Sequence, residues 1–336
     1  MAHNPSEYGE VIDCVDIHKQ PAFDHPLLKN HTLEASSIQI NRIKRENDDA
    51  LKALQVWRKN GECPVGTVPI VRTPTSAKYA QKPHLKPHYV STQPNRSHAF
   101  ASDGHEYAEA MLFDGPYFGA KADINVWTPV SHGTISVAQI WVVSSPKNYD
   151  QLNTVEAGWI SDGYRNTGCY NLECPGFIQV SKTVALGAIL QPISSYNGKQ
   201  ATINVVLDQH TESGQWWMQF QNEPIGYWPN SIFTSLGNGG ETVSWGGEIY
   251  NDGAGGHHTE TQMGSGHFPN EGFGRASFFS NLQYMDSSKL YKDPEKLNIH
   301  VSKPVCYDLL VGQEKVDGKG TYFLFGGPGY SDRCLA

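Results

Sequence analysis

Two glutamates in this sequence are placed where they could do acid–base chemistry. Glu248 lies in the stretch Val243-Ser244-Trp245-Gly246-Gly247-Glu248-Ile249-Tyr250. Read as a β-strand, the period of two puts Ser244, Gly246, Glu248 and Tyr250 on one face. A glycine beside the carboxylate leaves little bulk to crowd it. Glycine inside a strand also often marks the close approach of a ligand or another backbone. Glu156 has the same setting in Asn153-Thr154-Val155-Glu156-Ala157-Gly158-Trp159. Its face carries Thr154 and Gly158, while Val155, Ala157 and Trp159 point the other way, toward a core. Two strands that each offer one carboxylate between small residues suit a division into acid and base. Pattern alone favours a plainer alternative, two solvent-facing glutamates on half-exposed strands, because charged residues on sheet faces are common.

The elements that must position these residues read as strands. Alternating apolar segments recur at Ile124–Trp127, Ile135–Val143, Thr154–Trp159, Gly176–Val180 and Thr202–Leu207. They continue at Gln215–Gln221, Glu241–Tyr250, Ala276–Phe279 and Thr321–Phe325. No long helix interrupts them, which predicts an all-β antiparallel sandwich or barrel. Ahead of them, charge and apolar spacing predict a helix over Asn41–Asn60, ended by Gly61. Prolines 83, 87 and 94 then punctuate a stretch without periodicity. The division is therefore a small N-terminal segment 1–74 outside the main core, a linker 75–102 open to proteases, and a β domain 103–336.

The net charge of −8 argues against a nucleic-acid partner, and no basic stripe interleaved with aromatics appears. No apolar run is long enough to cross a membrane. The six cysteines fall in three regions, Cys14 with Cys63, Cys169 with Cys174 and Cys306 with Cys334. That grouping suggests disulfides and an oxidising compartment, although free buried thiols and other pairings stay open. No cysteine or histidine spacing implies a metal, and no cofactor motif is present. Asn30 and Asn95 fit the glycosylation sequon. The chain opens Met1-Ala2-His3-Asn4 without an apolar signal core, which conflicts with secretion unless the start lies further upstream. Trp216, Trp217, Tyr227 and Trp228, with Trp245 and Tyr250 near Glu248, are candidates to line a groove for proline or apolar side chains; core packing is the alternative. His257, His258 and His267 read as solvated in a glycine-rich loop.

Several of these segments together resemble the neprosin family. They are Glu156-Ala157-Gly158-Trp159, Gly168-Cys169-Tyr170-Asn171, Cys174-Pro175-Gly176-Phe177, Gly226-Tyr227-Trp228-Pro229, Trp245-Gly246-Gly247-Glu248 and Met263-Gly264-Ser265-Gly266. Asp13-Cys14-Val15-Asp16-Ile17, Lys19-Gln20-Pro21-Ala22-Phe23 and His25-Pro26-Leu27-Leu28 are similar to that family's activation peptide. The resemblance covers nearly the whole chain. It implies a sandwich of two antiparallel sheets behind an activation peptide. It also implies a secreted plant glutamic endopeptidase, most simply a monomer, cutting beside proline at acid pH, with Glu156 and Glu248 catalytic. Its partners would be a peptide or protein substrate and its own pro-segment.

In that chemistry one ionised carboxylate takes a proton from water while the other, protonated, serves the carbonyl oxygen and the leaving nitrogen. Nearby carboxylates resist ionising together, which favours a singly protonated pair in acid. Glu156 is favoured here as the base. Compared with the family, a strand and turn are missing between Trp159 and Asp162-Gly163-Tyr164. That departure supports a rival, a catalytically silent sandwich holding extended peptides or cell-wall polymers. A glycoside hydrolase ranks lower, because no single strand carries an E-x-D-x-x-E arrangement.

Overall fold

The computed structural model describes residues 3–5, 9–34, 51–72, 104–131, 134–144, 152–160, 171–172, 175–253 and 256–335. In the N-terminal segment the strands are β1 (His3–Pro5), β2 (Val11–Asp16), β3 (Leu51–Lys52), β4 (Leu54–Gln55) and β5 (Thr67–Val71). Then come β6 (His105–Leu112), β7 (Gly119–Asn125), β8 (Ser136–Ser144), β9 (Asn153–Ile160), β10 (Ile178–Gln179), β11 (Leu190–Gln191) and β12 (Ala201–Gln209). The chain continues through β13 (Trp216–Phe220), β14 (Glu223–Trp228), β15 (Thr242–Tyr250) and β16 (Ser277–Met285). It ends with β17 (Tyr291–Lys292), β18 (Asn298–Val301), β19 (Asp308–Val311) and β20 (Phe323–Gly326).

Two sheets carry the architecture. The front sheet runs β18-β6-β15-β8-β9, and the back sheet runs β10-β14-β13-β12-β7-β16-β20-β19. Every pairing along both paths is antiparallel. Alternation decides which residues meet between them. From the front come Ala108, Ala110, Ala138, Ile140, Val142, Val155, Ala157, Val243, Trp245 and Ile249; from the back come Ile124, Ile203, Val205, Leu207, Trp216, Phe279, Phe323 and Phe325. Fully burying an aliphatic or aromatic side chain stabilises by about 1.5–3 kcal/mol. Slipping β15 by one residue would exchange Trp245 for Glu248 in that core, so the register is held firmly.

The N-terminal segment docks on the outer face of the back sheet. Ala22 and Leu28, with Phe23 and Leu33 beside them, pack on Ile178, Trp217 and Tyr227. Pro21 and Pro26 each open a short 3-10 turn there, where a fixed φ is tolerated and no amide donor is needed. The Gln20 side chain mimics a strand: it accepts from the Gln179 amide at 2.7 Å and donates to the Gln179 carbonyl at 3.0 Å. The Tyr227 hydroxyl accepts from the Glu34 amide at 2.8 Å and meets His31 Nε2 at 3.0 Å. Cys14–Cys63 staples the segment internally, and Cys306–Cys334 closes near the C-terminus.

Two expectations change. Where the helix was expected, the described part is β3, β4 and a 3-10 turn, Val56–Asn60; residues 41–50 of that stretch lie outside the described residues. Tertiary pairing overrides local propensity: β3 adds to β12 and β4 pairs with β11, while Trp57 and Ala53 are buried. Gly61 does end the turn, at φ +118°. The segment is also not separate from the main core, because Ala53 belongs to it. The linker 75–102, Cys169, Cys174 and Asn95 lie outside the described residues, whereas Asn30 is exposed.

Burial lowers the His31 pKa below the ordinary histidine value, opposed in part by Glu34. The undocked segment therefore binds more protons than the docked one as pH falls through that range. Docking is at full strength above the ordinary histidine pKa and weakens below it. Hydrogen exchange of residues 20–34 is expected to rise between roughly pH 7.5 and pH 5.5, with His31→Gln flattening the change. Equal protection at both pH values in the wild type would contradict this.

Candidate active site

The outer face of the front sheet gathers the polar residues. Cross-strand register builds it in rows. One row is Tyr107–Glu248–Val137, the next Glu109–Gly246–Gln139–Gly158, and the third Met111–Ser244–Trp141–Glu156. Glu156 and Glu248 thus share a face, and Gln139 sits between them on the diagonal. The glutamates are two strands apart, roughly 10 Å, and four residues apart along the strands, roughly 13 Å. Their backbones stand too far apart for an intimate carboxylate pair. Gln139 and Gly246 lie across that span.

The glycines make the floor flat. A Cβ on Gly246 would stand 2.3 Å from the Ala108 carbonyl oxygen and 2.7 Å from the Glu109 Cα. On Gly158 it would stand 2.0 Å from the Ala138 carbonyl oxygen. Neither site tolerates a side chain, because the nearest atoms are backbone.

Each carboxylate has its own partners. Glu248 Oε1 lies 2.5 Å from His105 Nδ1 and accepts from the Tyr107 hydroxyl at 3.2 Å. Glu156 accepts from Gln139 Nε2 at 2.9 Å and from the Thr154 hydroxyl at 2.8 Å. A third carboxylate, Glu109, is fully buried and accepts from the Ser244 hydroxyl. Burial and then the charges of Glu248, Glu109 and Glu156 push the Tyr107 phenol far above its ordinary pKa. All three carboxylates therefore act on one hydroxyl, which stays a donor. Glu248 itself is 8% exposed, so the floor is nearly closed.

The aromatic candidates divide. Tyr250 lies on the glutamate face, edge-on to His105 with ring centroids 5.1 Å apart. Trp216 and Trp245 are fully buried between the sheets, and Trp228 packs at that core's margin. Trp217 and Tyr227 lie on the opposite side of the molecule under the N-terminal segment. Adjacent aromatics on a strand face opposite ways, and sequence did not reveal which. His258 is not solvated as expected: it is buried, with Nε2 2.9 Å from Glu106 Oε2. It also lies near Cys306 and Cys334, whose sulfurs are spent in a disulfide. His105, Tyr107, Glu109 and Gln139 were missed. Their signal was alternation, with Ala108 and Ala110 between the polar residues and Gln139 inside an apolar run. A cavity of about 510 Å³ between Asp293–Leu297 and Val311–Tyr322 shares no residue with this face.

A family model described as Neprosin matches residues 141–328, more than half of the chain, and one described as Neprosin activation peptide matches 4–111. The chain belongs to the neprosin family. Its neprosin domain holds Gln139's neighbours Trp141, Glu156 and Glu248, and the activation-peptide match contains the docked segment and most of β6. That is the organisation of a peptidase zymogen. Among solved structures it is similar to SCP-B, a member of the eqolisin family of peptidases bound to the tripeptide Ala-Ile-His. Identity is 10%, covering 66% of this chain and 96% of that one, at a TM-score of 0.35. Scytalido-glutamic peptidase with a peptide-based transition-state analogue is similar at 11% identity, 66% and 98% coverage and a TM-score of 0.35.

Because the floor of the neprosin domain admits no added methyl group, Gly246→Ala is expected to cost roughly 1–3 kcal/mol or more through forced strand separation. Urea unfolding would register the loss. Wild-type stability in that variant would show that the rows are not packed as described.

Proposed function

We propose that the protein is the zymogen of a glutamic endopeptidase, hydrolysing peptide bonds beside proline at acid pH through Glu156 and Glu248. One observation carries the reading: two carboxylates from different strands share one glycine-floored face, with an amide, Gln139, between them. Preference for proline and for acid pH rests on the family resemblance, as does secretion from a plant cell.

The reaction follows from the spacing. A peptide lying across Gly246 puts its carbonyl carbon between the glutamates. Water gives a proton to the ionised carboxylate as its oxygen bonds to that carbon. The protonated carboxyl donates to the carbonyl oxygen, and collapse passes a proton to the leaving nitrogen. Gln139 holds one carboxylate in place and can reorient toward the substrate, since its amide both donates and accepts. The near-closed floor suits a latent form.

The test is hydrolysis of a quenched proline-containing peptide from acid to neutral pH after the linker has been cut. Glu156→Gln and Glu248→Gln should each lose at least about 100-fold in kcat/KM while staying folded. Cleavage by both variants at the wild-type rate would sink the reading. No cleavage by the folded wild type would leave the silent peptide-binding sandwich.

A further inference from the structure

The two glutamates are held in different ways, and the difference assigns their roles. Both donors to Glu248 converge on one oxygen. His105 Nδ1 and the Tyr107 hydroxyl each meet Oε1, and no described residue hydrogen-bonds Oε2. Glu156 is engaged through both oxygens, Oε2 by Gln139 and Oε1 by Thr154. The clamp on Glu248 is itself fixed. His105 is 8% exposed, its ring stacks on Tyr107 at 19° between planes, and Tyr250 meets it edge-on. His105 and Tyr107 stand two residues apart on β6 and on the same face, opposite Tyr250 and Glu248. The adjoining Gly104 leaves no space for a Cβ, which would stand 2.6 Å from the Tyr250 ring.

We propose that His105 and Tyr107 are positioning residues that hold Glu248 by Oε1 and reserve Oε2 for the attacking water, making Glu248 the base and Glu156 the acid. This rests on the peptidase reading above, and it reverses the preference for Glu156 as base. In the step itself, water transfers a proton to Glu248 Oε2, and its oxygen forms the bond to the carbonyl carbon. The carbonyl π pair moves onto oxygen, which takes the proton from Glu156. On collapse, the C–N bond breaks and the nitrogen takes the proton from Glu248 Oε2. Glu156 recovers its own proton from the hydroxyl, and no other reactant is needed. Thr154 is compatible with a protonated Glu156, because a hydroxyl accepts as readily as it donates. Tyr107 cannot compete as the base: three surrounding carboxylates and its burial keep the phenol protonated.

Two measurements test the clamp. In the intact chain, proton NMR should show a strongly downfield imidazole N–H resonance from the short His105–Glu248 contact, lost in both Glu248→Gln and His105→Leu. This readout does not depend on cleavage. After the linker is cut, Tyr107→Phe and His105→Leu should lower kcat roughly 10- to 100-fold, the worth of a charge-assisted hydrogen bond, with KM little changed. His105→Asn, whose amide nitrogen replaces Nδ1, should restore most of the loss. Leu and Asn behaving alike, with wild-type cleavage intact, would overturn the clamp while the peptidase reading stands. Role assignment has its own readout. The residual kcat/KM of Glu156→Gln should keep its acid-side fall, as Glu248 protonates, and lose its alkaline-side fall. The reverse pattern overturns the assignment. A folded wild type that cuts nothing defeats the peptidase reading and the base assignment together, whatever the resonance shows.

Discussion

The register of β15 between β6 and β8 is the constraint on which the rest depends. Its pairing runs without a bulge over Val243–Tyr250 on one side and Thr242–Ile249 on the other. Val243, Trp245 and Ile249 enter the core, so Ser244, Gly246, Glu248 and Tyr250 must face outward. The hydrophobic cost of moving Trp245 into water holds Glu248 on the outer face. Position of the carboxylate is thus decided by residues buried in the core. The same rule on β9 sends Val155 and Ala157 inward and Glu156 outward, so both carboxylates reach one surface.

The back sheet uses the same alternation for another purpose. Trp216 faces the core while Trp217, its neighbour, faces out and is covered by Ala22 and Leu28. The described disulfides close within the N-terminal segment and near the C-terminus, so neither ties the segment to the sandwich. Docking there rests on apolar burial and on hydrogen bonds from Gln20, His31 and Glu34. Contacts of that kind can be released without breaking a bond, which is what an activation peptide requires. The sandwich therefore uses its two outer faces differently, one carrying the carboxylates and one covered by the N-terminal segment.

Much of this was legible in the sequence because it depends on local alternation. The outward placement of Glu156 and Glu248, with glycines beside them, followed from a period of two. What could not be read was which distant strands lie beside them. His105 and Tyr107 reach Glu248 across separations of 143 and 141 residues. Gln139 hides in an apolar run, where one polar residue resembles a tolerated core amide. The expected helix failed for a related reason: Trp57 and Ala53 have partners on the 185–202 stretch, and those partners, not the charge pattern, set the backbone. Aromatic pairs misled because adjacent rings serve opposite faces.

The most direct measurement is a crystal structure of the linker-cleaved Glu156→Gln protein with an uncut proline-containing peptide. The scissile carbonyl carbon is expected over Gly246, between position 156 and Glu248, with a water on Oε2 of Glu248 aimed at that carbon. A peptide bound away from this face, or a carbonyl beyond the reach of Glu248, would contradict this placement.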